Sequence, residues 1–276
     1  SAILLSGVIL SKPCFISSLT FSFTISVPTT PGATAFTLIL YIPSSLANDF
    51  VKPLKNEIEE IQEEQEQFEK INSGSIKAYK KEELEQIEKN VEDIYRDGKK
   101  VFGIGGEHLV TLPEIKAVSK FYDNLAIVHF DAHTDLREEY IGEPLSHSAV
   151  IRHSAEIVGF ENLKQIGIRS GMKDEFELMK KHNTLIHEHH ELDCFKDKPI
   201  FVTVDLDVLD PSIMSGTGTP EAGGLTYKEF IEYLKLIKGL NVVGMDIVEL
   251  SPHYDASGSS TATASKVIRE MMLLFA

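Results

Sequence analysis

Two short runs in this chain are equipped for chemistry: Asp131-Ala132-His133-Thr134-Asp135, and Asp205-Leu206-Asp207. Side chains two apart on an extended segment point the same way, so Asp131, His133 and Asp135 can converge on one spot, as can Asp205 and Asp207. A single aspartate after a strand is usually a helix cap or a turn residue, and a lone DxD is a weak signal. Two such sets are different. Four carboxylates and an imidazole in one cleft repel each other and carry large desolvation costs unless cations hold them, so the pattern points to metal.

Both runs need elements to aim them. Residues 125–130 (LAIVHF) and 200–204 (IFVTV) are continuous apolar stretches, as expected of parallel strands covered on both faces. The carboxylates then fall at strand ends. A third strand end, after residues 101–104, leads into Gly105-Gly106-Glu107-His108, where the glycines permit a tight turn that brings His108 to the same edge. By itself a histidine after two glycines is more often a loop residue. Nor is this a dinucleotide fingerprint, because His108 stands at the third glycine position.

Taken together, GGEH at 105–108, FDAHTD at 130–135, SH at 146–147, DLDVLDPS at 205–212, GTGTPEAGG at 216–224 and DIVEL at 246–250 resemble the ureohydrolase family. That family includes arginase, agmatinase and formimidoylglutamase, and the likeness is closest to agmatinase. The motifs keep the family's order from roughly residue 80 to the C-terminus. The resemblance implies an α/β fold: a single three-layer domain with a mainly parallel sheet, arginase-like, and two Mn2+ ions at the strand ends. It implies that His108, Asp131, Asp135 and Asp205 hold the first ion. Asp131, His133, Asp205 and Asp207 would hold the second, with Asp131 and Asp205 bridging.

The chemistry agrees. A carboxylate-rich set with a little imidazole suits manganese better than zinc, and two such ions can activate a shared water near neutral pH. The resemblance makes Glu249 the carboxylate that pairs with a substrate guanidinium, a task suited to planar bidentate geometry. It makes His147 the proton shuttle to the leaving amine. Alone, Glu249 reads as a solvated strand-end residue and His147 as a solvated loop histidine.

The remaining histidines lack a constellation. His129, inside the strand, reads as a core imidazole or one supporting a ligand. His187, His189 and His190 in HEHHE read as a solvated loop with at most adventitious metal binding, and His153 and His182 as unsupported. His253 in SPHYD could approach the mouth of the site.

Substrate choice is expected to rest on the loop LREEYIGEPLS between Asp135 and His147, with Glu138, Glu139 and Glu143. Acidic residues there favour the distal ammonium of agmatine over the carboxylate of arginine, by about 1 kcal/mol per pair at 4 Å in water and more in a drier cleft. The expected reaction is agmatine to putrescine and urea. If these glutamates are only a solvated loop face, arginine, guanidinobutyrate or formimidoylglutamate are the alternative substrates. A one-zinc amide hydrolase of the deacetylase type and a non-catalytic, metal-stabilised scaffold are the competing readings. Metal counting separates the former, and the intact ligand positions count against the latter.

Residues 1–50 carry only two charged side chains, Lys12 and Asp49, and form an atypical low-charge segment ahead of an arginase-like catalytic domain over 51–276. Within that segment 2–10 and 35–42 read as strands. No basic region precedes the apolar run as in a signal peptide, and prolines and hydroxyls interrupt every window near the ~20 residues that span a bilayer. The family's glycine- and arginine-containing opening loop has only a faint counterpart, PGATAF at 31–36. Two amphipathic helices follow: Leu54, Ile58, Ile61 and Phe68 mark one, and Leu84, Ile87, Val91 and Ile94, ending at Gly98, mark the other. GTGTPEAGG lacks the Lys-Ser/Thr of a phosphate loop and reads as a rim turn before a helix over 226–238.

At 276 residues the chain can bury one substantial α/β core, and no repeat is visible. A net charge of -15 argues against nucleic acid and anionic membranes as partners and suits a small cationic guanidino substrate. Two cysteines, Cys14 and Cys194, provide no disulfide framework and suit a cytoplasmic location. The resemblance further implies a homo-oligomer, a trimer or hexamer.

Overall fold

The structure, a computed structural model, describes Tyr79 and residues 81–275, together with five strands ahead of them. Those strands are β1 (Leu4–Leu5), β2 (Val8–Leu10), β3 (Cys14–Ser17), β4 (Thr20–Ser26) and β5 (Phe36–Tyr41). The helical pattern marked by Leu54, Ile58, Ile61 and Phe68 lies outside the described residues.

From residue 81 onward, strands and helices alternate. Helix α1 (Lys81–Arg96) leads into β6 (Lys100–Ile104), and α2 (Thr111–Val118) into β7 (Ala126–Phe130). Helix α3 (Val150–Val158) precedes β8 (Leu163–Ile166), and α4 (Lys173–His182) precedes β9 (Pro199–Asp205). Helix α5 (Tyr227–Ile237) precedes β10 (Asn241–Val248), and α6 (Ser259–Phe275) closes the fold. The sheet runs β1-β2-β4-β5-β6-β10-β9-β7-β8, with β3 on β4. All neighbours from β5 to β8 are parallel, as helical crossovers require, whereas β1 to β5 pair antiparallel.

Apolar side chains cover both faces of the parallel region, which is why its strands read as continuous hydrophobic runs. On one face Val101, Ile127, Leu163 and Phe201 pack with Leu84, Ile87 and Val91 of α1, Leu112 and Ile115 of α2, and Val150 and Ile151 of α3. On the other, Phe102, Val128, Phe130 and Val202 pack with Phe230 and Leu234 of α5 and Val267 and Met271 of α6. Three layers result. The stripe Leu84, Ile87, Val91, Ile94 is buried as its spacing requires, and the helix stops where Gly98 takes a φ of 72°. Lys99 N then closes on Ile94 O at 3.1 Å, satisfying a terminal carbonyl. Thr226 caps α5 in a reciprocal box with Glu229. Among the described residues, no helix is long and apolar enough to cross a membrane.

Candidate metal centre

The turns after β6, β7, β9 and β10 lie at the carboxyl edge of the sheet, where open α/β folds bind ligands. The loop after β6 is tied to β10, with Gly105 N donating to Ile247 O at 2.9 Å and Glu249 N to Gly106 O at 2.8 Å. This fixes His108, whose ring is buried. Its Nδ1 stands 3.3 Å from Asp131 Oδ2, 3.1 Å from Asp135 Oδ2 and 3.4 Å from Asp205 Oδ2, yet has no partner in hydrogen-bonding geometry. His133 Nδ1 lies 3.0 Å from Asp207 Oδ2 and 3.4 Å from Asp131 Oδ1.

The six residues singled out in the sequence as ligands therefore converge. Ligand-type atoms of His108, His129, Asp131 and Asp135 fall within 4.8 Å of one another, as do those of Asp131, His133 and Asp207. Asp131 belongs to both groups. Asp205 presents Oδ2 to His108 while its Oδ1 accepts from Asp207 N at 2.8 Å. Asp135 and, beside the cluster, Glu249 adopt φ of 51° and 63°. Left-handed backbone at two such side chains is the kind of strain that persists where surrounding structure over-determines a site.

The electrostatics fit a cation. Burial, then Asp207 and Asp131, push the Asp205 carboxyl well above the usual range, and burial and Asp131 also raise that of Asp207. For His133, burial works against protonation, but bonds to Asp131 and Asp207 outweigh it and push the imidazole up to about 11. These groups compete for protons because several negative charges crowd one buried cleft, a demand that divalent cations would meet. The oxygen-rich donors and the unpartnered buried Nδ1 of His108 suit a hard divalent ion.

Two further side chains complete the cleft. Glu249, half-buried, accepts from His108 N at 2.7 Å, and burial followed by the charge of Glu107 pushes its carboxyl up to about 8. His147 Nδ1 pairs with Glu107 Oε1 at 3.0 Å, and its ring lies 5.5 Å from that of Tyr140. Burial disfavours the imidazolium, but Glu107 reverses this and raises His147 to about 9. Glu107 is thus a site residue that the sequence contained only as part of GGEH.

Sequence reasoning also passed over Arg169 and Glu221. The Arg169 guanidinium donates to the carbonyls of Gly167, Asp207, Val208, Glu221 and Ala222 at 2.7 to 3.4 Å, clamping the Asp207 segment to the glycine-rich loop. That loop brings Glu221 Oε1 to 3.9 Å from His133 Nε2. The available signal was position: Arg169 follows the end of β8 just as the ligands follow other strands. In the loop after Asp135, Glu138 pairs with Arg152 at 3.3 Å and Glu143 accepts from Leu145 N at 3.2 Å.

The other histidines stand apart. His153 bonds to Pro144 O at 2.9 Å, His182 stacks on Phe160, and His253 neighbours Ser251 and Tyr254. His189 packs on Tyr233, and no metal-type group among the described residues includes the HEHHE histidines.

Comparison with known proteins is consistent with this geometry. A family model described as the arginase family matches residues 45–274. The agmatinase of Bacillus subtilis (strain 168) is 50% identical over 201 residues, 70% of this chain and 69% of that protein. Among solved structures, proclavaminate amidino hydrolase from Streptomyces clavuligerus aligns with a TM-score of 0.65 at 28% identity, covering 71% of each chain. The agmatine ureohydrolase of Thermoplasma volcanium aligns with a TM-score of 0.62 at 28% identity, over 70% of this chain and 68% of that one.

Proposed function

Because the chain belongs to the arginase family, we propose that it is a metal-dependent hydrolase of a guanidino C–N bond that converts agmatine to putrescine and urea. One observation carries this reading: six ligand-type side chains and a half-buried glutamate meet at one sheet edge in a chain half identical to an agmatinase. Two Mn2+ ions are assigned to the site, one to His108, Asp131, Asp135 and Asp205 and the other to Asp131, His133, Asp205 and Asp207. When bound, such a pair supplies Lewis acidity and lowers the pKa of a shared water.

The chain's own residues then have distinct tasks. Glu249 receives the guanidinium edge-on, and the cation's arrival drives its carboxyl back to the ionised form that a bidentate pair needs. His147 stays protonated at neutral pH because Glu107 holds its charge, so it can donate to the leaving amine. Glu107 positions that ring through Nδ1, leaving Nε2 for the proton transfer. The net charge of -15 draws a small cationic guanidino substrate by long-range attraction.

The same reading places the protein in the cytoplasm as a homo-oligomer, a trimer or hexamer, forming a diamine for polyamine biosynthesis. It treats residues 51–276 as the catalytic domain and 1–50 as an atypical segment preceding it. The deciding experiment measures urea from agmatine, arginine and guanidinobutyrate, with manganese counted on the same sample. Agmatine should be cleaved fastest by protein holding two ions per chain. Faster cleavage of arginine, or full activity with one ion, would overturn the assignment.

A further inference from the structure

Strand pairing lines up one rank of residues across the parallel sheet. Gln165 on β8 is in register with His129 on β7, His129 with Thr203 on β9, Thr203 with Asp246 on β10, and Asp246 with Gly103 on β6. Residues in register on parallel strands face the same side. The rank after it reads Ile166, Phe130, Val204, Ile247 and Ile104, so apolar side chains return at once. Gln165, His129, Thr203 and Asp246 are all 0% exposed. Unmet polar groups at such positions cost about 1–3 kcal/mol each, so a whole rank of them calls for a purpose.

Its hydrogen bonds lead to the metal ligands. The Gln165 amide donates from Nε2 to Thr134 O at 2.8 Å, a carbonyl that can only accept, which fixes its orientation and leaves Oε1 to accept from the Thr184 hydroxyl at 2.9 Å. The same Nε2 donates to His129 Nδ1 at 3.1 Å. His129 must carry its proton on Nε2, which donates to Asp131 Oδ2 at 2.8 Å. Both ring nitrogens are thereby engaged, and His129 has no lone pair left for an ion. Further along the rank, Thr203 Oγ1 lies 3.1 Å from His108 Nε2, while Asp246 Oδ2 accepts from Thr111 Oγ1 at 2.6 Å. With the Thr203 hydroxyl accepting at Nε2–H and donating to Thr111 Oγ1 at 3.4 Å, whose own proton goes to Asp246, the lone pair of His108 is left on Nδ1, the atom facing Asp131, Asp135 and Asp205. On β6 the rank holds Gly103, where a Cβ would crowd Glu114 Oε1 and lie 3.0 Å from Asp246 Cβ.

We propose that this rank is a positioning layer built into the sheet, in which His129, set by Gln165 and Thr184, orients the carboxylate of Asp131, and Thr203, set by Asp246 through Thr111, orients the imidazole of His108. The inference rests on the reading of those two residues as metal ligands. His129 and Thr203 act through the ligands and touch no substrate.

The test uses Thr203→Val, which keeps the side-chain shape and removes the acceptor, Thr203→Ser, which restores it, and Gln165→Leu, which frees the His129 ring. Mn(II) is titrated into each metal-free protein, and melting temperatures are recorded without metal. T203V and Q165L should bind Mn(II) about 10- to 100-fold more weakly, as losses behind metal ligands generally do, while T203S binds as the wild type does. Imidazole 15N shifts of the metal-free wild type should place the His129 proton on Nε2. Unchanged Mn(II) affinity in T203V and Q165L, whatever their melting temperatures, overturns the positioning layer alone, as does a His129 proton on Nδ1. A wild type that binds no Mn(II) overturns the metal reading and this inference with it.

Discussion

His147 and Glu107 form a pair in which a carboxylate keeps an imidazole charged against the cost of burial, and this sets a sign for the pH profile. If protonated His147 is the working acid, activity falls as pH rises through its pKa of about 9. Glu107→Gln removes the charge that raises that pKa, so the alkaline limb should move to lower pH by about 1 unit or more. A limb that stays in place in a rate–pH series would detach Glu107 from the step. His147→Ala should keep metal and fold but slow turnover by ~10²- to 10⁴-fold, the usual worth of a general acid. Asp131→Ala should instead lose both ions, because Asp131 is common to the two ligand groups and its removal leaves the other carboxylates repelling one another. Elemental analysis distinguishes these two inactive variants.

At the level of elements, the glycine-rich loop before α5 shows what sequence alone could and could not reach. GTGTPEAGG was readable as a turn shaping the rim, but not the reason Gly224 must be glycine. A Cβ there would lie 2.6 Å from Leu209 C and Asp210 N and 2.8 Å from Arg169 Nη2, driving a wedge into the clamp. Gly224→Ala should therefore cost about 1–3 kcal/mol, measured as a fall in melting temperature of several degrees. The strands β6, β7, β9 and β10 were legible because burial on both faces leaves an unbroken apolar run, and α1 because its stripe recurs at helical spacing. The carboxylate pairs were legible because period-two spacing is local. Arg169 and Glu221 were not, since a guanidinium bonded to carbonyls from three separate stretches of chain leaves no periodic trace. Nor was the orientation of the loop glutamates: Glu138 looked poised for a cationic substrate but engages Arg152.

Across the whole molecule, the strand order has a consequence for when the centre can exist. In the sheet β10 lies between β6 and β9, although in the chain it comes after both. His108 follows β6, while Asp131, Asp135 and Asp205, its partners in the first proposed set, belong to β7 and β9 across that gap, so this set stays divided until the last parallel strand inserts. Mn(II) should then leave the refolding rate unchanged and slow unfolding, because contacts formed after the transition state act on the unfolding limb. Stopped-flow refolding accelerated by Mn(II) would show instead that the ligands gather before the sheet closes. During synthesis the ribosome will have delivered every proposed ligand once Asp207 is out, yet His108 joins the others only when residues 241–248 have emerged and docked between β6 and β9. Completion of the first ligand set is thereby reserved for a chain that has already closed its sheet.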